Sequence, residues 1–458
     1  MGAVNGEIKE WVRKEFKTLC LHSKRLESRF LMTMSDFSDQ PEKSIWLAAG
    51  SRANAKAVYR MLGNEKFRKE SILSAHRDAV EERGKGRVLL AIQDTMAVNY
   101  NTHTKTAGMG YNCEQTLGVN VHSCILVAPE GIPIGLLDQR VITRETNNAR
   151  EKTHEEKRAR PIEEKESYRW IETMQAAAQN APTEAKLVHI ADREGDIYEL
   201  YAWAQRSGET FVIRAVHDRV DINKTHVLHE LRATEPIGRI VVDMPANRKN
   251  KTKEREASLT VQYQHFHIQK PKIRRNDGEL ESTLGLTAIR LAEENPSEGS
   301  EPIEWLLMTN LEITSARDAV QAAEYYKQRW KIERFHFVLK SGCEIEKIQQ
   351  RSVEGIELVI LLYSIISIHI MQLTFLSRNA PETPCELIFS ETEWKTLHRA
   401  ANRTRSDPEK PPSMEEAVRL IARLGGHVGA KSDGPPGLKV IWIGLNKLFL
   451  LVAYRDFL

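Results

Sequence analysis

A chain of 458 residues, 41% hydrophobic and 28% charged, has enough apolar content for extensive burial and is too long for one small domain. Its five cysteines are scattered without C-x-x-C spacing, which excludes a disulfide scaffold or a cysteine zinc site and fits reduced thiols in the cytoplasm. The net charge of +3 hides an asymmetry: residues 1–70 carry 14 Lys and Arg against 9 Asp and Glu, a basic front that suits a polyanionic partner.

The opening "MGAVNGEIKEWVRKEFKTL" has no apolar run of the kind a signal peptide needs. Residues 8–76 read as helical, because apolar residues recur at three- and four-residue steps with basic residues between them. A small helical DNA-binding module and a plain helical cap both fit that pattern. At 87–94 it changes to "RVLLAIQD", a buried strand ending in Asp94. "GVNVHSCILVAP" (118–129) and "IPIGLLDQRVIT" (132–143) then read as a strand pair joined at "PEGIP".

After a charged segment, 144–160, comes a helix over about 162–180. "AKLVHIADREGD" is a second buried strand, ending in Asp192, and it is followed by the helix "IYELYAWAQRSG" and the strand "TFVIRAV". Strand–helix–strand units of this length predict an α/β core with parallel strands. Residues 220–312 read as a β-rich insertion in that core, with "NRKNKTKER" as one of its loops. A long helix begins at Ser315, with Asp318 as a capping partner. The stretch 358–376 has no formal charge and could span a bilayer by length, but its Ser, Thr, His and Gln residues favour a buried core helix, so no membrane is expected. The remainder is helical, with joints at "SDPEKPPS" and "KSDGPPG".

Asp94 and Asp192 share one setting, the polar end of an apolar strand, where α/β proteins bind ligands. A third carboxylate, Glu333, stands among cations in "YYKQRWKIERFHFVLK" (325–340). Three converging carboxylates would repel one another unless a divalent cation lay between them, and Mg²⁺ or Mn²⁺ prefers such hard oxygen ligands. Two such ions can activate the attacking oxygen of a phosphodiester and stabilise the leaving one. On an ideal helix Tyr326, Arg329, Glu333 and Lys340 would fall within roughly 60° of arc, a stripe in which Arg329 and Lys340 suit phosphates. A solvated helix with a fortuitous stripe fits that spacing equally well.

The spacing Tyr-x2-Arg-x3-Glu-x6-Lys, with "AIQDT" and "ADREGDIYE" upstream, resembles the Y-R-E-K group of bacterial insertion-sequence DDE transposases. "FVIRAVH", "EWLLMTN", "RWKIERFH" and "IARLGG" follow the family in order. The paired tryptophans expected before the second strand are missing from "GVNVHS", and the C-terminal tail is shorter.

The resemblance implies an α/β fold: a ribonuclease H-like mixed-sheet core (77–219 and 313–376) with the β-rich insertion (220–312). A DNA-binding helical domain (1–76) and a helical dimerisation region (377–458) flank it. It implies catalytic Asp94, Asp192 and Glu333 holding two Mg²⁺ ions, with Mn²⁺ able to substitute. Tyr326, Arg329 and Lys340 would hold DNA phosphates, Trp305 would stack on a flipped base, and Arg214 and His217 would lie near DNA. Tyr325 precedes Tyr326, so which of the two faces DNA rests on register alone. The expected partners are double-stranded DNA (terminal inverted repeats and target) and a second copy of the chain, acting in the bacterial cytoplasm at the nucleoid. A non-catalytic DNA-binding regulator is the principal alternative.

Overall fold

Serine hydroxyls open three of the five N-terminal helices of the computed structural model, which describes residues 8–102, 104–144, 160–244, 255–272, 278, 280–296, 301–379, 381–387, 389–429 and 436–453. The helices are α1 (Glu10–Glu15), α2 (Lys24–Asp39), α3 (Ile45–Ala48), α4 (Arg52–Leu62) and α5 (Lys69–Gly84). Ser23, Ser44 and Ser51 accept from the amides of Leu26, Leu47 and Asn54, satisfying donors that the first turn leaves without a partner. Gly50 turns the chain between α3 and α4 at φ +66°, a backbone that other residues rarely adopt.

The chain divides into two compact units, Met1–Lys85 with Thr95–Asn147 and Glu333–Leu458, and Gly86–Asp94 with Asn148–Ile332. In the first unit, Phe30, Met34, Phe37, Val58 and Ile72 are buried among the N-terminal helices. Glu15 ties α1 to α5: its carboxylate lies 2.5 Å from His76 Nδ1 and accepts from Arg83 at 2.7 and 2.9 Å. The Leu136 amide donates to His76 Nε2, so the imidazole proton sits on Nδ1, facing Glu15. On α2, burial and the neighbouring Asp39 push the Asp36 carboxyl up to about 7. A raised carboxyl favours the folded state at low pH and loses that advantage as pH rises from about 4 through 7. Asp36→Asn should therefore raise the melting temperature by a few degrees at pH 8 and hardly at pH 4. An equal gain at both pH values would refute the shift.

The second half of β1 (Val88–Asn99) belongs to this unit, with β2 (Gly110–Tyr111), β3 (Leu117–Val127) and β4 (Pro133–Ile142). β3 and β4 pair antiparallel from Asn120↔Ile142 to Val127↔Pro133, as expected. The apolar stretch lies in a helix, Val353–Asn379, long and apolar enough to cross a membrane, yet 83% of its most apolar window is buried within the protein. Its hydroxyls are satisfied: Ser364, Ser367 and Thr374 donate to Ile360, Tyr363 and Ile370 carbonyls, and Gln139 donates to Ser364. Glu391–Asn402, Met414–Leu424 and Leu438–Ala453 are the last helices, packed around Trp394, Leu397, Ile421, Ile441 and Leu445. A Cβ on Gly444 would lie 1.8 Å from the Ile421 carbonyl oxygen, so the last two helices cross with their backbones touching.

In the second unit the first half of β1 runs parallel to β5 (Lys186–Ala191), and β5 parallel to β6 (Thr210–Arg214). Tyr168–Gln179 and Tyr198–Ser207 are the helices preceding and following β5, the crossovers that parallel strands require. β10 (Glu304–Thr309) adds antiparallel to β6, followed by β9 (Thr283–Glu293), β8 (Arg255–Gln269) and β7 (Gly238–Met244). The region read as an insertion is β-rich, but its strands extend the sheet of β5 and β6 instead of forming a layer of their own. It also contains a helix, Val227–Arg232, that alternation did not reveal. Trp170, Met174, Tyr201, Phe211, Leu286 and Met308 fill the core beneath. The charged segment 144–160 and the loop "NRKNKTKER" lie almost wholly outside the described residues.

Candidate active site

The expectation that Asp94 ends its strand needs correction: β1 runs on to Asn99. Its parallel pairing is what ends there. The β1–β5 register stops at Ile92↔Ile190, and two residues past it come Asp94, within β1, and Asp192, just after β5. β1 continues because Met96, Ala97 and Val98 are buried in turn, whereas β5 stops in the turn Arg193–Gly195. Asp192 caps that turn, its Oδ1 accepting from the Glu194 amide at 2.8 Å.

Beside Asp192 lies a cluster that sequence reasoning had scattered over three elements. Tyr326 is only 2% exposed and Trp305 5%, their rings edge to face at 5.5 Å. The guanidinium of Arg214 sits 5.5 Å from the Trp305 ring, and that of Arg329 4.7 Å from the Trp330 ring. The positive charges of both arginines act on the Tyr326 hydroxyl. Burial raises the pKa of this phenol, the two cations partly offset that, and the negative charge of Asp192 adds to the rise. Tyr326, not the half-buried Tyr325, is thus the residue in the cluster. Trp305 is packed against Tyr326 and Arg214. Arg193 adds a third positive charge near Arg214. Several cations crowded beside one carboxylate repel one another, and an anion bound among them would relieve that repulsion.

Asp196, four residues after Asp192, was not singled out from the sequence. It is buried and accepts from the amides of Val216 and His217 (2.8 and 2.9 Å), from Tyr201 Oη (2.8 Å) and from Arg219. Burial alone would raise its pKa, but Arg219 and the amides hold it below the ordinary carboxylate range. Through it the turn carrying His217 is tied to the loop after β5, and the His217 side chain stays exposed. The second aspartate of "ADREGD" was the available sign, but nothing in sequence linked it to Arg219.

The single continuous helix assumed for a stripe of Tyr326, Arg329, Glu333 and Lys340 is interrupted. Ser315 and Asp318 do form the capping box that opens the first helix, Ala316–Lys327. It then ends in tight i→i−3 bonds, Gln328 to Tyr325 and Arg329 to Tyr326, and a second helix starts at Trp330. Glu333 lies in the first turn of Trp330–Phe337, and Lys340 in a π turn, Val338–Gly342. A tightened turn and a π turn each change the angle per residue, so an ideal helical wheel cannot align these four positions. Among the described residues, no three His, Cys, Asp and Glu side chains are gathered closely enough to hold a metal ion.

A model of the transposase DDE domain matches residues 138–368, just over half of the chain. The chain belongs to the DDE transposases. A transposase DNA-binding model matches residues 8–67 and the Tn5 transposase dimerisation domain residues 365–457, so this is a Tn5-like DDE transposase. The resemblance read from its Y-R-E-K spacing holds at family level, as does the ribonuclease H-like mixed α/β core between helical regions. Among solved structures, one similar to it is described as a "Cryo-EM structure of piggyBac transposase synaptic complex with hairpin DNA (SNHP)". That match has a TM-score of 0.40 and 8% identity, and covers 98% of this chain and 83% of that one. At such distance the likeness carries no functional argument.

Membership of this family means a DNA-binding transposase with transposase or nuclease activity, and the DDE family generally uses divalent metals. The matched DNA-binding region contains the exposed face of α4, where Arg52, Lys56 and Arg60 recur at one-turn intervals. A groove of about 1060 Å³ within the first unit is lined by Lys56, Tyr59, Arg60 and Arg351. The matched dimerisation domain exposes Ile443 and Leu450, two turns apart on the last helix.

Proposed function

We propose that this transposase moves its DNA element by cut and paste. In this reading water nicks the phosphodiester at the element's 3′ end, and the freed 3′-hydroxyl attacks the opposite strand to form a hairpin. A second water opens the hairpin, and the 3′-hydroxyl then joins target DNA. The observation that carries the proposal is that Asp94 and Asp192 each lie two residues past the last register pair of two parallel strands, with the Tyr326–Arg214–Arg329 cluster beside Asp192.

By donor chemistry both aspartates suit a hard divalent cation, since they offer carboxylate oxygens. Asp94 and Asp192, with Glu333 from the Y-R-E-K spacing, would hold two Mg²⁺ ions. When bound, these ions would activate the attacking oxygen and stabilise the leaving one. The side chains do the positioning. Arg214 and Arg329 present guanidinium groups able to grip a phosphate bidentately, with the Tyr326 hydroxyl near both charges. Lys340 adds a point charge for a neighbouring phosphate. Swinging away from Tyr326 would let Trp305 stack on a base extruded by the tight hairpin, with the exposed His217 near that strand. The basic face of α4 would hold the terminal inverted repeat, and the Ile443–Leu450 stripe would pair two copies in the synaptic complex.

A strand-resolved assay tests this directly. With Mg²⁺ and a duplex carrying the terminal repeat that flanks the gene, the protein should give a nick, then a hairpin, both lost on chelation. Trp305→Ala should delay the hairpin more than the nick. Binding without any cleavage would reverse the reading in favour of a non-catalytic regulator, and equal slowing of both steps would remove Trp305 from base capture.

A further inference from the structure

Lys340, read above as a phosphate-binding residue, already has a partner in the chain without DNA. Its Nζ lies 3.6 Å from Glu346 Oε1, with the two side chains 34% and 37% exposed. Glu346 is not a loose surface residue. The same Oε1 accepts from the amide of Asn99, the last residue of β1, at 3.1 Å. Next to it, Tyr100 Oη donates to the Ile345 carbonyl at 2.9 Å. Further along, Thr106 Oγ1 donates to Gln350, the Ala107 amide to Arg351, and the Val353 amide to Ala107. Segment 345–353 is therefore laced to segment 99–107 at five places, which leaves the Glu346 carboxylate little freedom to withdraw. Lys340 sits on a flexible four-carbon stem in a π turn and is the partner able to move.

We propose that Glu346 is a built-in competitor for the Lys340 ammonium, opposing DNA phosphate at this position. The proposal rests on the reading of Lys340 as a phosphate ligand. Its chemistry is simple. A phosphate reaching Lys340 must either displace the carboxylate from the ammonium or sit with a fixed negative charge close by. Both weaken the contact. The loss falls on the sequence-independent part of binding, which phosphates supply, and leaves base contacts untouched. Glu346 thereby raises the share of affinity that depends on reading the end sequence.

Glu346→Gln isolates this charge, because the amide oxygen can still accept from the Asn99 amide and keep the lacing intact. Binding is measured on a duplex carrying the terminal repeat and on a random-sequence duplex, at low and moderate salt, for wild type, Glu346→Gln, Lys340→Gln and the double variant. A half-exposed ion pair is worth about a two- to fivefold change in affinity. Glu346→Gln should tighten binding by that factor on both duplexes at low salt, and the gain should shrink as salt screens it. The double variant should bind no more tightly than Lys340→Gln. Unchanged binding by Glu346→Gln, or a gain that survives in the Lys340→Gln background, would overturn the proposal. If Lys340→Gln alone leaves binding to the terminal repeat unchanged, the phosphate-ligand reading fails, and the competition falls with it for that separate reason. Equal melting temperatures for wild type and Glu346→Gln would confirm that affinity, not folding, was read.

Discussion

Glu333→Gln, Asp94→Asn and Asp192→Asn should each slow nicking of the terminal repeat by at least about 10³-fold, because a metal site that loses one carboxylate forfeits several kcal/mol of transition-state stabilisation. Binding to the same duplex should change less than about threefold, since phosphate grip comes from the arginines, lysines and basic helix face. Each replacement is chosen to spare the fold. Asn at position 192 can still accept the Glu194 amide that Asp192 caps. Melting temperatures without metal show whether each variant keeps its fold. Added Mg²⁺ should raise the wild-type melting temperature more than that of any variant, through preferential binding to the folded state. Nicking that survives in any one variant would remove that residue from the metal set. A parallel collapse of binding and cleavage would point to a structural role.

Asp196→Ala should destabilise the second unit by about 3–5 kcal/mol, the usual cost of stranding a buried partner charge. Four groups lose their acceptor together: the Val216 and His217 amides, Tyr201 Oη and the Arg219 guanidinium. Arg219 would then lie against the Tyr201 ring, 5.1 Å from its centroid, with no carboxylate to balance it. Asp196→Asn, which keeps an acceptor but not the charge, should cost less. Replacing both Asp196 and Arg219 by apolar residues should cost less than Asp196→Ala alone. Because the folded-state pKa of Asp196 is depressed, its contribution is present above about pH 4 and disappears as pH falls through the folded value. Chemical denaturation at neutral pH measures the first effect. A loss below about 1 kcal/mol would mean that the turn at 216–219 is held by something else.

Several features were legible locally because local chemistry decides them. The Ser315–Asp318 capping box, the β3–β4 pair and the buried helix over 358–376 each depend on residues close in sequence or on simple apolar content. Aspartates at corresponding positions after two apolar runs were also visible, although β1 proved to run past Asp94. Other features depend on partners distant in sequence. An ideal wheel does not apply to Tyr326, Arg329, Glu333 and Lys340, because one turn is tightened and another widened, and no periodicity announces either. Trp305 and Arg214 meet Tyr326 only because β10 pairs with β6, with Leu307 opposite Arg214. Asp196 and Arg219 find each other by the same folding of adjacent strands.

The order of residues by itself determined the family, the α/β alternation and the basic front. All of these follow from residue type and spacing, which a chain carries before it folds. Tertiary structure alone decided that Asp94 and Asp192 fall two residues beyond one shared register pair. It also buried Tyr326 between two arginines and a tryptophan, and it brought Lys340 to Glu346. Such contacts are set by strand pairing and helix termination, where burial and hydrogen bonding across the whole fold outweigh any local preference.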